Sequence, residues 1–131
     1  MKRTALIAIL SAWAGVACSR HTPSTSGSSA AIDPAAQKQA EELFATRCTP
    51  CHGAAGRGDG PASASLNPHP RNFHDVAWAK AVTDEHIEKI IQYGGSSVGK
   101  SAAMPANPDL TSKPDVVSAL RSKVRSFSTQ Q

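Results

Sequence analysis

Five residues, Cys48-Thr49-Pro50-Cys51-His52, constrain this chain more than anything else in it. Two thiols three positions apart at a helix end face the same side, and a histidine follows directly. A redox dithiol of the thioredoxin type expects a βαβ setting, and no alternating strand pattern here exceeds three or four residues. Structural zinc needs two more ligands at recognisable spacing, and there is no second cysteine pair. A disulfide between Cys48 and Cys51 closes a loop too small to stabilise much. The use that fits is covalent attachment of a c-type haem. The thiols add across the two vinyl groups of one porphyrin, and His52 is pinned beneath the iron as its fifth ligand.

The rest of the composition bears on what such a group must do. A chain of 131 residues holds one domain at most. With three Phe, two Trp and one Tyr it has few large side chains to fill a core. Nine Gly and nine Pro point to long irregular segments. A large multi-domain enzyme is excluded, as is a polytopic membrane protein, because no apolar run reaches the roughly 18 residues of a spanning helix. The formal charge of +4 comes with no basic stripe interleaved with aromatics, so nucleic acid is not an expected partner.

The first residues read as a processed leader. Lys2 and Arg3 form a basic start, and Ala5 to Val16 an apolar stretch of signal length. A plain signal peptide would be cut after an Ala-x-Ala such as Ala12-Trp13-Ala14. The run Ala14-Gly15-Val16-Ala17-Cys18 instead resembles a bacterial lipobox, whose cysteine carries lipid and becomes the first mature residue. This gives the third, odd cysteine a use. The expected organisation is a lipoprotein signal peptide over 1–17, a Ser/Thr-rich tether over 18–33 and a folded domain over 34–128. Losing Lys2 and Arg3 takes the formal charge from +4 to +2.

Within the domain, Asp33 and Pro34 mark a helix start. Ala36, Ala40, Leu43, Phe44 and Arg47 at helical spacing predict a helix over 34–48 running into Cys48. Residues 53–72, with GAAGRGDGP and NPHPRN, form an extended loop; so long a loop in a compact domain wraps something. Thr83 caps a second helix with Ile87, Ile90 and Ile91 on its apolar face, stopped by Gly94-Gly95. A second loop over 96–109 carries Met104-Pro105. Thr111 is the expected cap of a last helix buried through Val117, Leu120, Val124 and Phe127. The predicted fold class is all-α: three to four helices and long loops around one haem.

From Ala36 to about Arg125 the chain resembles a small class I monohaem cytochrome c, on the strength of Cys48-x-x-Cys51-His52, the run from Gly53 to Pro61, and Asn67-Pro68-His69-Pro70-Arg71-Asn72-Phe73. The resemblance implies His52 as proximal ligand and Met104 as distal ligand. Met104 is the only methionine after Met1. The resemblance also implies that the Pro61 carbonyl accepts a hydrogen bond from the proximal imidazole, fixing its tautomer. Arg71, Asn72 and Trp78 are candidates to meet the haem propionates, with core packing the other use of Trp78. Lys100 is a candidate for a docking rim, and His69, His74 and His86 are alternative ligands. Family members usually carry Gly where Ala40 stands and an aromatic where Leu120 and Val124 stand.

The function implied is one-electron transfer without an enzymatic activity of its own. The expected protein is an exported, monomeric carrier on the outer side of the cytoplasmic membrane, anchored by lipid on Cys18 and exchanging electrons with other redox proteins. A haem enzyme or gas sensor with an open distal site is the alternative, and it requires that Met104 not bind the iron.

Overall fold

Asp33 starts the first helix as its chemistry dictates: its carboxylate accepts the Ala35 N–H at 3.3 Å, and Pro34 opens the first turn. The computed structural model describes residues 32–129. Cys18, the expected leader and nearly all of the expected tether lie outside the described residues. Helix α1 (Pro34–Leu43) passes through a π turn, Phe44–Cys48, into the short α2 (Thr49–His52). Helices α3 (Val76–Ala81), α4 (Asp84–Tyr93) and α5 (Pro114–Thr129) follow, and 3₁₀ turns sit at Ser63–Ser65, Gly95–Val98 and Pro108–Leu110. The described residues contain no strand, as expected of an all-α chain. None of their helices is long and apolar enough to cross a membrane.

The core forms where α5 lies across α1 and α4. Ala36, Ala40 and Phe44 face it from the first helix, Ile87 and Ile91 from α4, and Val116, Val117, Ala119, Leu120, Val124 and Phe127 from α5. Ala40 is buried to 2% exposure, and its single methyl lets a crossing helix come close. Phe127 supplies the aromatic that positions 120 and 124 lack. Its ring centroid lies 5.4 Å from that of Phe44 and 6.0 Å from that of Phe73. With Trp78 against Phe73 at 5.7 Å, most of the chain's few aromatics belong to one connected cluster.

Three expectations change, and one helix is added. Arg47 is exposed and does not share the buried face of α1, because it lies within the π turn that follows Leu43. Ile90 is half-buried rather than core. Helix α3 was not legible: six residues are too few for periodicity, although Asp75, which accepts the Trp78 N–H at 3.0 Å, is an ordinary N-cap signal. Thr111 does not cap α5. Its hydroxyl donates to the Pro108 carbonyl at 2.7 Å, and the first helical bond runs from the Val117 N–H to the Lys113 carbonyl. The ring of Pro114 disfavours helical geometry in the residue before it, so the helix begins at the proline itself.

Candidate haem site

The π turn sets the direction of the attachment residues. In a regular α-helix, positions four apart drift by about 40° per step, so a face running 36, 40, 44, 48, 52 would wind away from the core. The wider turn reduces that drift. It is held by the Thr49 N–H donating to the Phe44 carbonyl, and by the Thr49 hydroxyl donating to the same oxygen at 3.1 Å. Cys48, Cys51 and His52 therefore follow Phe44 half-buried, at the edge of the core. Both cysteines are free thiols. Burial pushes the Cys48 thiol up to about 11, the Arg47 charge opposing this and Cys51 adding to it. A thiol held protonated is the weaker nucleophile.

His52 is prepared for a metal by its neighbours. Its Nδ1 lies 3.1 Å from the Arg71 carbonyl oxygen. A carbonyl only accepts, so Nδ1 carries the proton and Nε2 presents its lone pair. Burial lowers the imidazole's pKa, with the Arg71 hydrogen bond opposing it, which favours the neutral, ligating form. The ring stacks on Phe73 at 4.5 Å with an interplanar angle of 16°. The partner expected for this nitrogen was the Pro61 carbonyl; in the structure it is Arg71. The difference follows from the loop, in which the Phe73 N–H donates to the Gly56 carbonyl at 2.8 Å and draws residues 71–73 alongside the imidazole.

The first loop folds back over the helix end that carries the motif. The N–H groups of Gly58, Gly60 and Ala62 donate to the carbonyls of His52, Cys51 and Pro50 at 2.8, 3.1 and 2.9 Å. These carbonyls are among those a helix end leaves without partners. The approach is so close at Gly60 that a Cβ there would lie 2.4 to 2.7 Å from backbone atoms of Thr49, Pro50 and Cys51. Main-chain contacts of this kind hold the motif rigid without using a side chain.

Met104 sits half-buried on the second loop, which is fastened to the end of α4. The Gly95 N–H donates to the Met104 carbonyl at 3.0 Å, and the Met104 N–H to Ser101 at 3.2 Å. Gly94 has φ +77°, and a Cβ there would come 2.8 Å from both the Met104 oxygen and the Ala106 nitrogen. The Gly-Gly pair thus stops α4 and also seats the methionine loop.

The remaining candidates divide. The Arg71 guanidinium lies 5.7 Å over the Trp78 ring and 3.5 Å from Asp75, so the residue's observed part in the site is through its carbonyl. Trp78 packs against the core. Asn72 accepts the His74 N–H at 2.9 Å, and His74 donates from Nε2 to the Ala55 carbonyl at 2.7 Å. His69 and Lys100 are exposed, and His86 is half-buried in the first turn of α4. Sequence reasoning missed the Arg71 carbonyl and Phe73, because a main-chain acceptor leaves no residue signature.

The donor set suits a c-type haem: two free thiols on one turn, and a neutral imidazole with Nδ1 committed and Nε2 presented. Among the described residues no group of three His, Cys, Asp or Glu side chains offers a metal a cage of its own, which leaves the zinc use without support. No curated protein matches the sequence. The family profile described as cytochrome c matches residues 37–119, which include the whole attachment motif and Met104. Cys48 and Cys51 are thus the attachment points of a covalent haem c, and the chain belongs to the cytochrome c family of haem-binding electron carriers.

Proposed function

We propose that this protein is a one-electron carrier with His52 and Met104 as axial ligands, working between redox proteins on the outer side of the cytoplasmic membrane. The observation that carries this reading is the His52 imidazole, on the same turn as both thiols and fixed through Nδ1–H to the Arg71 carbonyl. Bound haem supplies an iron that takes up and releases single electrons. The chain's own task is to change little while it does so. His52 is braced by the Arg71 carbonyl and the Phe73 ring, and Met104 by the Gly94-Gly95 seat. A thioether opposite imidazole favours the ferrous state relative to two imidazoles. No substrate chemistry is assigned to the domain, and its partners would meet it transiently through a small interface.

A potentiometric titration of the purified protein followed by its visible spectrum tests this. The expected result is one reversible step fitted by a single electron, with identical spectra in both directions. Hysteresis between the two directions, or a reduced form that binds carbon monoxide readily, would contradict it.

The same proposal places the domain on a lipid anchor at Cys18. Cys18→Ser is expected to move the protein from the membrane fraction to the soluble periplasmic fraction. A wild-type protein already found soluble would remove the anchor from the account.

A further inference from the structure

Arg47 precedes Cys48 and lies in the π turn, yet its side chain reaches far along the sequence. Its Nη1 donates to Asp109 Oδ1 at 2.8 Å and to Asn107 Oδ1 at 3.0 Å, and its Nη2 donates to Asp109 Oδ2 at 3.1 Å. Asn107 is bolted to α4 in turn. Its Nδ2 donates to the Ile91 carbonyl at 2.7 Å and its N–H to the Gln92 carbonyl at 2.9 Å. One guanidinium therefore joins the haem-attachment turn to residues three and five positions after Met104, on a loop whose other limb hangs from Gly95.

We propose that Arg47 is a positioning residue that clamps the Met104 loop against the attachment turn and so governs how readily the methionine leaves the iron. The inference rests on Met104 being the distal ligand. An isolated surface ion pair does little, and both partners here are close to half exposed, at 42% and 46%. This contact differs in kind. The planar fork engages both carboxylate oxygens at once, and the shared amide adds a third bond, so the geometry is specified as well as the charge. For Met104 to swing away, its loop must move between two fixed points. With the Arg47 contact gone, the far point keeps the Asn107 bonds to α4 but loses its tie to the attachment turn.

The test measures how fast imidazole displaces the thioether from the ferric holoprotein, with the midpoint potential as a second readout. Wild type must first show the ferric thioether charge-transfer band. Its absence would reject Met104 ligation and the clamp together. With the band present, Arg47→Ala and Asp109→Asn are each expected to speed displacement by about tenfold, and the double variant to be no faster than either single variant. Their potentials should move in opposite directions: losing the cation lowers the potential, losing the anion raises it. Arg47→Lys keeps the charge but not the fork, so it should speed displacement with little change in potential. Rates within twofold of wild type in Asp109→Asn and Arg47→Lys would reject the clamp alone. So would rates that move in opposite directions in Arg47→Ala and Asp109→Asn, since that is the mark of charge without geometry.

Discussion

Replacing both attachment cysteines, Cys48→Ala with Cys51→Ala, is expected to abolish covalent haem completely. On a denaturing gel stained for haem peroxidase activity, the wild-type band should be strong and the double variant blank. Either single variant should keep one thioether bond and a weaker band. Loss in the double variant is complete because no other thiol stands in the described domain to replace these two. The folded state should suffer as well. The core has few aromatics, and its rings form one connected cluster that reaches His52 through Phe73. The porphyrin is the large apolar body that the Gly- and Pro-rich loops are long enough to enclose. Its loss should therefore lower the denaturation midpoint of whatever protein accumulates.

Away from the haem, Arg125→Met is expected to cost about 2 to 3 kcal/mol, after allowing for a side chain 28% exposed. From α5, the Arg125 guanidinium donates to the Ala79 and Val82 carbonyls at the end of α3 and to Asp84 in the first turn of α4. Arg121 also pairs with Asp84, while its Nε lies 3.3 Å from Glu88 without the alignment of a hydrogen bond. Removing Arg125 leaves two helix-end carbonyls without a donor. Methionine keeps much of the aliphatic packing, so the loss reports the polar contacts.

The same cluster gives a pH signature. Burial alone would raise the Asp84 pKa, but hydrogen bonds from Arg125 and Arg121 outweigh it and hold the carboxyl below its usual range. A depressed folded-state pKa contributes stability above the unfolded value of about 3.9, and that contribution disappears as pH falls through the folded value. Denaturant midpoints of the wild-type and Arg125→Met holoproteins should therefore differ most near neutral pH and draw closer as pH falls below the usual carboxylate range, leaving the part that the two carbonyl contacts supply. A difference that stays constant over that range would show that the Asp84 pair contributes nothing.

Much of this was legible in the sequence because the signals were local. Asp33-Pro34 and Thr83 start helices where their side chains can accept an N–H two or three residues on, as the structure shows for Ala35 and His86. Ile87, Ile91, Leu120 and Val124 are buried as their spacing required. The attachment motif is legible because two thiols and an imidazole admit few other uses at that spacing. What escaped was either non-local or carried by the main chain. The π turn is a shift of one residue in hydrogen-bond register, marked by nothing more than the Thr49 hydroxyl. The His52 acceptor is a carbonyl nineteen positions away, and any residue at 71 supplies one. Arg47 reads as a helix-face residue in the sequence because its partners lie sixty residues on.

The visible spectrum of the purified protein, with and without Met104→Ala, decides between a His/Met-ligated haem and an open distal site. A low-spin six-coordinate haem is expected in wild type, with a ferric thioether charge-transfer band that vanishes in the variant. No Soret band in wild type would contradict the haem itself. A high-spin wild-type spectrum with ready carbon monoxide binding would contradict Met104 ligation and the electron-carrier reading built on it.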